Sequence, residues 1–152
     1  MTRILKTDNK KDNKFLRKKT SSFDFDSYDK DEIRKLIDDM KQVMKDADGV
    51  GLAANQIGID KSFFVVDFDG KFYTIFNPEI VKKSRERYLI DEGCLSIPDV
   101  YGNANRSSEV TLKGYDRNGK RVKMRVWGYL AQIFQHEVDH LNGILFTDYL
   151  KE

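Results

Sequence analysis

Hydrophobic positions recur with the period of an α-helix between residues 29 and 51. Asp29, with Glu32 three residues later, has the pattern of a capping box at the start of this helix, and Gly49 and Gly51 predict its end. The apolar positions follow the 3.6-residue period: Ile33, Leu36, Ile37, Met40, Val43 and Met44. We expect this stripe to pack against a core.

Short runs rich in Phe, Val and Ile predict strands further along the chain. The predicted strands are residues 62–68, 72–76, 109–115 and 122–126. Asp69-Gly70 lies between the first two and is a strong hairpin signal. Pro78 is expected to close the second strand, because proline cannot donate to a sheet ladder. In the last strand apolar and charged residues alternate, which predicts one solvated face.

A second helical pattern covers residues 128–142, with Gly143 as its stop signal. The order helix, strands, helix predicts an α+β fold, in which antiparallel β-sheets pack around the C-terminal helix and an N-terminal helix completes the layers. We expect one domain over residues 1–152. Residues 1–28 are polar and charged, which predicts a solvated surface segment. A nucleic-acid-binding arm is the alternative, although aspartates interrupt the positive charge.

Composition excludes several classes of protein. Lys+Arg number 27 and Asp+Glu 25, and the resulting net charge of +2 argues against a dedicated nucleic-acid binder. A single cysteine cannot form an internal disulfide, and no apolar run is long enough for a membrane-spanning helix. Only Cys94, His136 and His140 offer thiolate or imidazole ligands, so a zinc- or iron-type site must use them or rely on carboxylates.

The two histidines stand four residues apart on the predicted last helix. Residues at this spacing share a helix face, so both rings can reach one metal ion, and Glu137 follows the first ligand. Zinc proteases with this motif take a third ligand downstream, but Phe146 stands where that histidine would be. The remaining candidate is Cys94, upstream. A buried, purely structural cysteine is the alternative, and Pro98 is expected to end any strand pairing soon after it.

A third segment, residues 49–58, combines glycines with small side chains. Such a stretch lets the backbone approach a ligand closely. A helix stop followed by tight packing explains it equally well when it is taken alone.

Together the three segments resemble the peptide deformylase family, whose motifs read GxGLAAxQ, EGCLS and QHExDH. This chain carries all three in the same order, at residues 49–56, 92–96 and 135–140. The resemblance extends over nearly the whole chain. It implies a metallohydrolase that removes the N-formyl group from the N-terminal formylmethionine of new polypeptides and releases formate.

The resemblance also implies roles for individual residues. Cys94, His136 and His140 would hold one divalent metal ion, usually Fe(II), which Zn(II) or Ni(II) can replace. A water activated by the metal would attack the formyl carbon with Glu137 as general base, while the Gln56 amide and the Leu95 backbone N–H face the developing oxyanion. The substrate would meet Val50, Gly51, Glu92, Gly93, Tyr129, Gln132 and Ile133. Arg106 is expected to hold Asp139 or Glu92 in place.

By the same resemblance, the partners are nascent formyl-Met polypeptides and, as a candidate, the ribosome surface, with no membrane and no dedicated nucleic-acid binding. The expected location is cytoplasmic, in a bacterium by default, with a phage or an organelle as the alternative source. Two departures from the family pattern are Tyr101, where some members have Arg, and the polar Gln132 in the pocket for the methionine side chain. The rival interpretations are a metallopeptidase, an inactive member acting as a binding module, and a nucleic-acid- or ribosome-binding domain.

Overall fold

A computed structural model describes residues 2–150, so residues 1, 151 and 152 of the expected domain lie outside the described part. The helices are α1 (Lys10–Leu16), α2 (Lys30–Asp46) and α3 (Gly128–Leu141). The strands are β1 (Gly51–Ala53), β2 (Phe63–Phe68), β3 (Lys71–Lys83), β4 (Arg87–Cys94), β5 (Ile97–Ser107), β6 (Glu109–Tyr115) and β7 (Arg121–Trp127). Single 3-10 turns lie at Phe25–Ser27, Ala54–Ile57 and Phe146–Tyr149.

Two antiparallel sheets form the framework. One has five strands in the order β1-β2-β3-β6-β7, and β4 pairs with β5 in the other. Strand β2 is buried on both faces: Phe64 and Val66 lie in the core cluster shared with α3, and Phe63 and Val65 lie in the one shared with α2. The predicted α+β class with antiparallel sheets is confirmed.

Helix α2 covers one face of the larger sheet. Its predicted capping box is present, since the Asp29 side chain accepts from the Glu32 backbone N–H and the Glu32 side chain accepts from the Asp29 backbone N–H. The buried stripe is Ile33, Ile37, Met40 and Met44. These side chains meet the sheet in a cluster that also contains Phe63 and Phe76.

Helix α3 covers the opposite face of the larger sheet. Ala131, Phe134, Val138 and Leu141 pack into the cluster formed by the inner side chains of the strands. The helix stops as predicted, with Gly143 at φ +78°, where a side chain would also collide with the Arg17 carbonyl group. Within residues 2–150, no helix combines the length and apolar character needed to cross a bilayer.

Strand β3 does not end at Pro78, so that prediction is wrong. The strand continues to Lys83, and its register against β6 shifts between Phe76 and Glu79. Asn77 adopts φ +49° at this irregularity. A bulge leaves residues outside the ladder, which is where a sheet tolerates a proline that lacks an N–H.

The β4–β5 hairpin was not predicted, and the expectation that Pro98 ends strand pairing is wrong. Cys94 pairs with Ile97, and the next pair is Gly93 with Tyr101, so residues 98–100 bulge out and accommodate the proline. Strand β5 then continues to Ser107. The hairpin brings the motif around Cys94 against α3.

The prediction of a solvated N-terminal segment is wrong in part. Residues 10–16 form α1, and Leu16 is completely buried, as Phe23 nearly is. The segment is also bonded to the rest of the protein, since the Leu5 N–H donates to the Gln56 carbonyl at 2.7 Å and the Thr7 N–H to the Ser96 carbonyl at 2.9 Å. A few apolar anchors and backbone hydrogen bonds therefore order a stretch whose composition is mostly polar.

Candidate active site

Helix α3 presents both histidines on the face that looks toward β4 and β5. Their Nε2 atoms lie 3.1 Å apart, as the i, i+4 spacing allows. Phe146 stacks near His136 with ring centroids 6.0 Å apart and is itself almost completely buried. The position that would supply a downstream ligand in a metallopeptidase is therefore an aromatic packing residue.

Cys94 reaches the histidines from the end of β4. Its Sγ lies 3.2 Å from the His140 Nε2 atom, and the donor atoms of all three residues lie within 4.8 Å of one another. Tetrahedral coordination by two imidazoles and a thiolate places neighbouring donors about 3.3–3.6 Å apart. The separations of 3.1 Å between the two histidine Nε2 atoms and 3.2 Å between Cys94 Sγ and His140 Nε2 are close to these values, so the three residues could hold one divalent transition-metal ion.

A carboxylate orients the first of these histidines. The His136 Nδ1 atom lies 2.7 Å from Glu92 Oε1, which leaves Nε2 free to face the other donors. Arg106 in turn binds the Glu92 carboxylate through two hydrogen bonds. Its Nε donates to Glu92 Oε2 at 2.5 Å, and its Nη2 donates to Glu92 Oε1 at 3.0 Å. Burial alone would raise the pKa of Glu92, but the hydrogen bonds from His136 and Arg106 hold it at about 2.

Arg106 also bonds Asp139 on α3, at 2.7 Å. The Tyr149 hydroxyl donates to the same Asp139 oxygen at 2.7 Å, and the Arg106 guanidinium lies over the Tyr149 ring. The structure thus brings Arg106 together with both carboxylates that the sequence suggested. Both Glu92 oxygens bond Arg106 and one also bonds His136, so this side chain orients His136, and the contact of Glu92 with substrate stays a prediction.

Glu137 lies next to the donor cluster on α3 and is 4% exposed. Its Oε1 has no hydrogen-bond partner within residues 2–150. Burial raises the pKa of this carboxyl group to about 7, which is suited to a group that accepts a proton near neutral pH. A Cβ atom on Gly51 would lie 2.5 Å from Glu137 Oε2, so only glycine leaves this carboxylate its place.

Gln56 reaches the cluster from the 3-10 turn that follows β1. Its Oε1 accepts from the Ala53 N–H at 2.9 Å, and its Nε2 donates to Ser96 Oγ at 3.1 Å and lies 3.8 Å from Cys94 Sγ. The side-chain amide is therefore fixed with its N–H groups toward the donor cluster. Leu95 lies in the two-residue turn between β4 and β5.

These groups border a cleft of about 460 Å³. Its lining includes the predicted substrate-contacting residues Val50, Gly51, Glu92, Gly93, Tyr129, Gln132 and Ile133, together with Cys94, His136, Glu137, Gln56 and Leu95. Tyr101 also lines it and lies close to Gly93, where a Cβ atom would meet the Tyr101 ring at 2.6 Å. His140 and the Arg106–Asp139 pair lie behind this surface.

Several supporting residues were not anticipated from the sequence. Asn55 donates to the His140 carbonyl at 2.6 Å, and Ser96 holds Gln56. Gln135 ties α3 to β5 by accepting from the Ser107 N–H and donating to the Ser107 carbonyl. Asn55, Ser96 and Gln135 all lie inside the three sequence motifs, so membership of a motif was the signal that could have identified them. Tyr149 had no such signal, since its contact with Asp139 depends on how the chain folds back after α3.

Comparison with known proteins gives a consistent result. The profile of the polypeptide deformylase family matches residues 1–152. A peptide deformylase of Rhizobium meliloti is 46% identical over 126 residues, which cover 80% of this chain and 72% of that protein.

Solved structures agree with the sequence comparison. The crystal structure of a peptide deformylase from Thermotoga maritima has a TM-score of 0.90 at 35% identity and covers 100% of this chain and 99% of its own. The structure of a peptide deformylase from Synechococcus elongatus, in complex with actinonin, also has a TM-score of 0.90 at 35% identity. The match covers 99% of this chain and 79% of that protein. With its donor cluster and its three motifs, this chain belongs to the peptide deformylase family of metal-dependent hydrolases.

Proposed function

We propose that this protein removes the formyl group from the N-terminal formylmethionine of newly made polypeptides and releases formate. The observation that carries the proposal is the convergence of Cys94, His136 and His140 beside the buried carboxylate of Glu137. The Synechococcus elongatus relative binds actinonin, a peptide mimic, which supports a peptide substrate for this cleft. In this proposal residues 1–152 form one catalytic domain.

Cys94, His136 and His140 would hold one divalent ion, for which the resemblance to the family suggests Fe(II), with Zn(II) or Ni(II) as substitutes. Such an ion acts as a Lewis acid that makes water nucleophilic near neutral pH. Glu92 contributes by keeping the Nδ1 side of His136 occupied, so that Nε2 is the nitrogen offered to the ion.

Glu137 is the proposed general base. Its carboxylate takes a proton from the attacking water and later gives it to the leaving amine, and a pKa near neutrality suits both transfers. Negative charge develops on the formyl oxygen during the attack. The Gln56 amide N–H and the Leu95 backbone N–H are the proposed donors to that oxygen, and removing one such donor costs about 2.7–4 kcal/mol of transition-state stabilisation.

The walls of the cleft would bind the first residue of the substrate. Gly51 lets the peptide pass close to Glu137, while Val50 and Gly93 border its path. Tyr129 and Ile133 lie on α3 in the turns before His136 and offer apolar surface to the methionine side chain. The ribosome surface, where such chains emerge, is a proposed partner, and the cytoplasm is the corresponding proposed location.

The test is formate release from a formyl-Met peptide by the metal-loaded protein, with Fe(II) protected from oxygen. The matching N-acetyl peptide is the control, because it differs by one methyl group at the scissile amide. We expect release of formate and little or no release of acetate. Cleavage of internal peptide bonds at a comparable rate would instead support a metallopeptidase, and no turnover at all would support an inactive binding module.

A further inference from the structure

Gln132 is a polar residue in the wall of the cleft and one helical turn before His136. Its side chain is buried, with 3% of the residue exposed. The neighbouring α3 residues on the same wall, Tyr129 and Ile133, present an aromatic ring and a branched hydrocarbon chain. A carboxamide therefore interrupts a wall that is otherwise suited to an apolar side chain.

The Gln132 amide is not used to hold the fold together. Within residues 2–150 its Oε1 is buried without a hydrogen-bond partner, whereas its Nε2 is not among the fully buried unpartnered atoms and takes part in none of the side-chain hydrogen bonds. Gln135, one turn further along α3, is the natural comparison. Its amide is equally buried but bonds the Ser107 N–H, the Ser107 carbonyl and the Ala131 carbonyl. The two glutamines thus have different roles.

Since no hydrogen bond to the protein occupies the N–H side of this amide, it is left free to donate to an acceptor that enters the cleft. Rotation about the last side-chain bond exchanges the positions of Oε1 and Nε2, so either atom can be turned toward the cleft. A thioether sulfur is an acceptor only, and it therefore requires the N–H side of the amide.

We propose that the Gln132 side-chain N–H donates a hydrogen bond to the sulfur of the substrate's first side chain, which makes Gln132 a specificity-determining residue for methionine. This inference depends on the proposed function, which places that side chain in the cleft. Tyr129 and Ile133 contact the methylene groups, and Gln132 recognises the heteroatom. A purely hydrocarbon wall could not distinguish sulfur from a methylene group of similar size.

Three formylated peptides that differ only in the first side chain test the proposal: methionine, norleucine and methionine sulfoxide. Norleucine replaces the sulfur by a methylene group and cannot accept a hydrogen bond. The sulfoxide oxygen is a stronger acceptor. We expect the metal-loaded wild-type protein to have a kcat/KM for methionine about two- to tenfold above that for norleucine, the range given by one ordinary hydrogen bond.

The variant Gln132→Leu should lower the methionine-to-norleucine ratio by the same factor and reduce sulfoxide turnover further. Ile133→Leu is the matched control, because it reshapes the same wall without changing its polarity and should leave the ratio as in wild type. Gln132→Leu should also melt no lower than wild type, since it removes a buried oxygen that has no partner.

Unchanged ratios in an active Gln132→Leu protein would overturn the role of Gln132 while leaving the proposed activity intact. A lower melting temperature with unchanged ratios would identify the amide as structural and also overturn it. Wild-type protein that releases formate from none of the three peptides would overturn the proposed function, and this inference with it.

Discussion

Glu137 is kept in place by the shape of its surroundings. One of its oxygens has no partner within residues 2–150, and the other lies against the backbone at Gly51. A carboxylate that forms no hydrogen bonds to the described residues is free to exchange a proton with water in the cleft. His136 shows the opposite arrangement, since its second ring nitrogen is bonded to Glu92 and its orientation is fixed.

Glu137→Gln should bind metal as wild type does but lose turnover by about 10²–10⁴-fold, the usual contribution of a general base. Metal content and formate release, measured on the same preparation, check this. Cys94→Ser is the contrasting variant and should lose metal affinity. A Glu137→Gln protein with the wild-type rate would contradict the assignment of the base.

Gly51→Ala should inactivate the enzyme without unfolding it. Its added methyl group would need the space held by Glu137 Oε2, so the carboxylate must move. Gly119→Ala is the control, because Gly119 lies in the β6–β7 turn at φ +77° and does not line the cleft, so strain there should affect stability alone. The measurements are kcat/KM and thermal unfolding. Full activity in Gly51→Ala would show that the carboxylate position is not critical.

At the level of elements, the site depends on how β4, β5 and α3 meet. Strand β4 brings Cys94 and Glu92, strand β5 brings Arg106, and α3 brings the histidines and Asp139. Arg106 bonds carboxylates of both other elements and is 3% exposed, so it links the hairpin to the helix in a buried position.

Arg106→Leu should therefore destabilise the protein by about 3–5 kcal/mol, because it leaves buried charges without a partner. Metal affinity should fall by about 10–100-fold, since Glu92 would no longer hold His136 firmly. Arg125→Leu is the matched control: its pair with Glu109 is exposed and screened by solvent, so its loss should change stability little. Urea unfolding and metal titration provide the two readouts, and equal losses in the two variants would contradict the linking role of Arg106.

The sequence predicted the elements that carry strong periodicity but not the hairpin. Helix α2 is predictable from its apolar stripe and its capping box, and β2 from its run of Phe and Val residues. In β4 most residues are exposed, and in β5 the exposed run 98–101 includes a bulge. Burial alternates only over residues 103–106 of β5, where one of the two buried residues is Arg106, so the sequence lacks the apolar alternation of a half-buried strand. Their position is set by tertiary contacts such as the cluster of Ile97 with Leu145 and Phe146.

For the site, the motifs located the proposed metal donors and the proposed base, and the pairing of Arg106 with Asp139 and Glu92 was expected, but the bond of Glu92 to His136 was not. The bond of Glu92 to His136 and the buried position of Arg106 follow from the antiparallel register, which places Glu92 opposite Gly102 and Arg106 opposite Tyr88. No local pattern encodes that register. Glu92 was expected to meet substrate; it lines the cleft, and its carboxylate bonds Arg106 and His136.

At the scale of the whole molecule, the buried carboxylate network makes stability depend on pH. The folded pKa of Glu92 is about 2, against an ordinary value of 4.5. A depressed folded pKa means that the stabilisation is complete above pH 4.5 and is lost as the pH falls toward 2. Metal-free wild-type protein should lose stability across this interval.

Glu92→Gln should show a smaller slope of unfolding free energy against pH between 4.5 and 2, even though it is less stable at neutral pH. Urea unfolding at a series of pH values measures both quantities. An identical slope in the variant and in wild type would mean that other carboxyl groups, such as Asp12, account for the acid sensitivity.

Cys94 is the only thiol in the chain and one of the three proposed metal donors. A thiol titration of the denatured protein therefore reports the state of this one donor, with no background from other cysteines. Oxidation of that one sulfur to sulfenic acid or beyond removes the thiolate as a donor. Exposure to peroxide would then extinguish metal binding in proportion to thiol loss, with no second cysteine in the chain to form a protective disulfide.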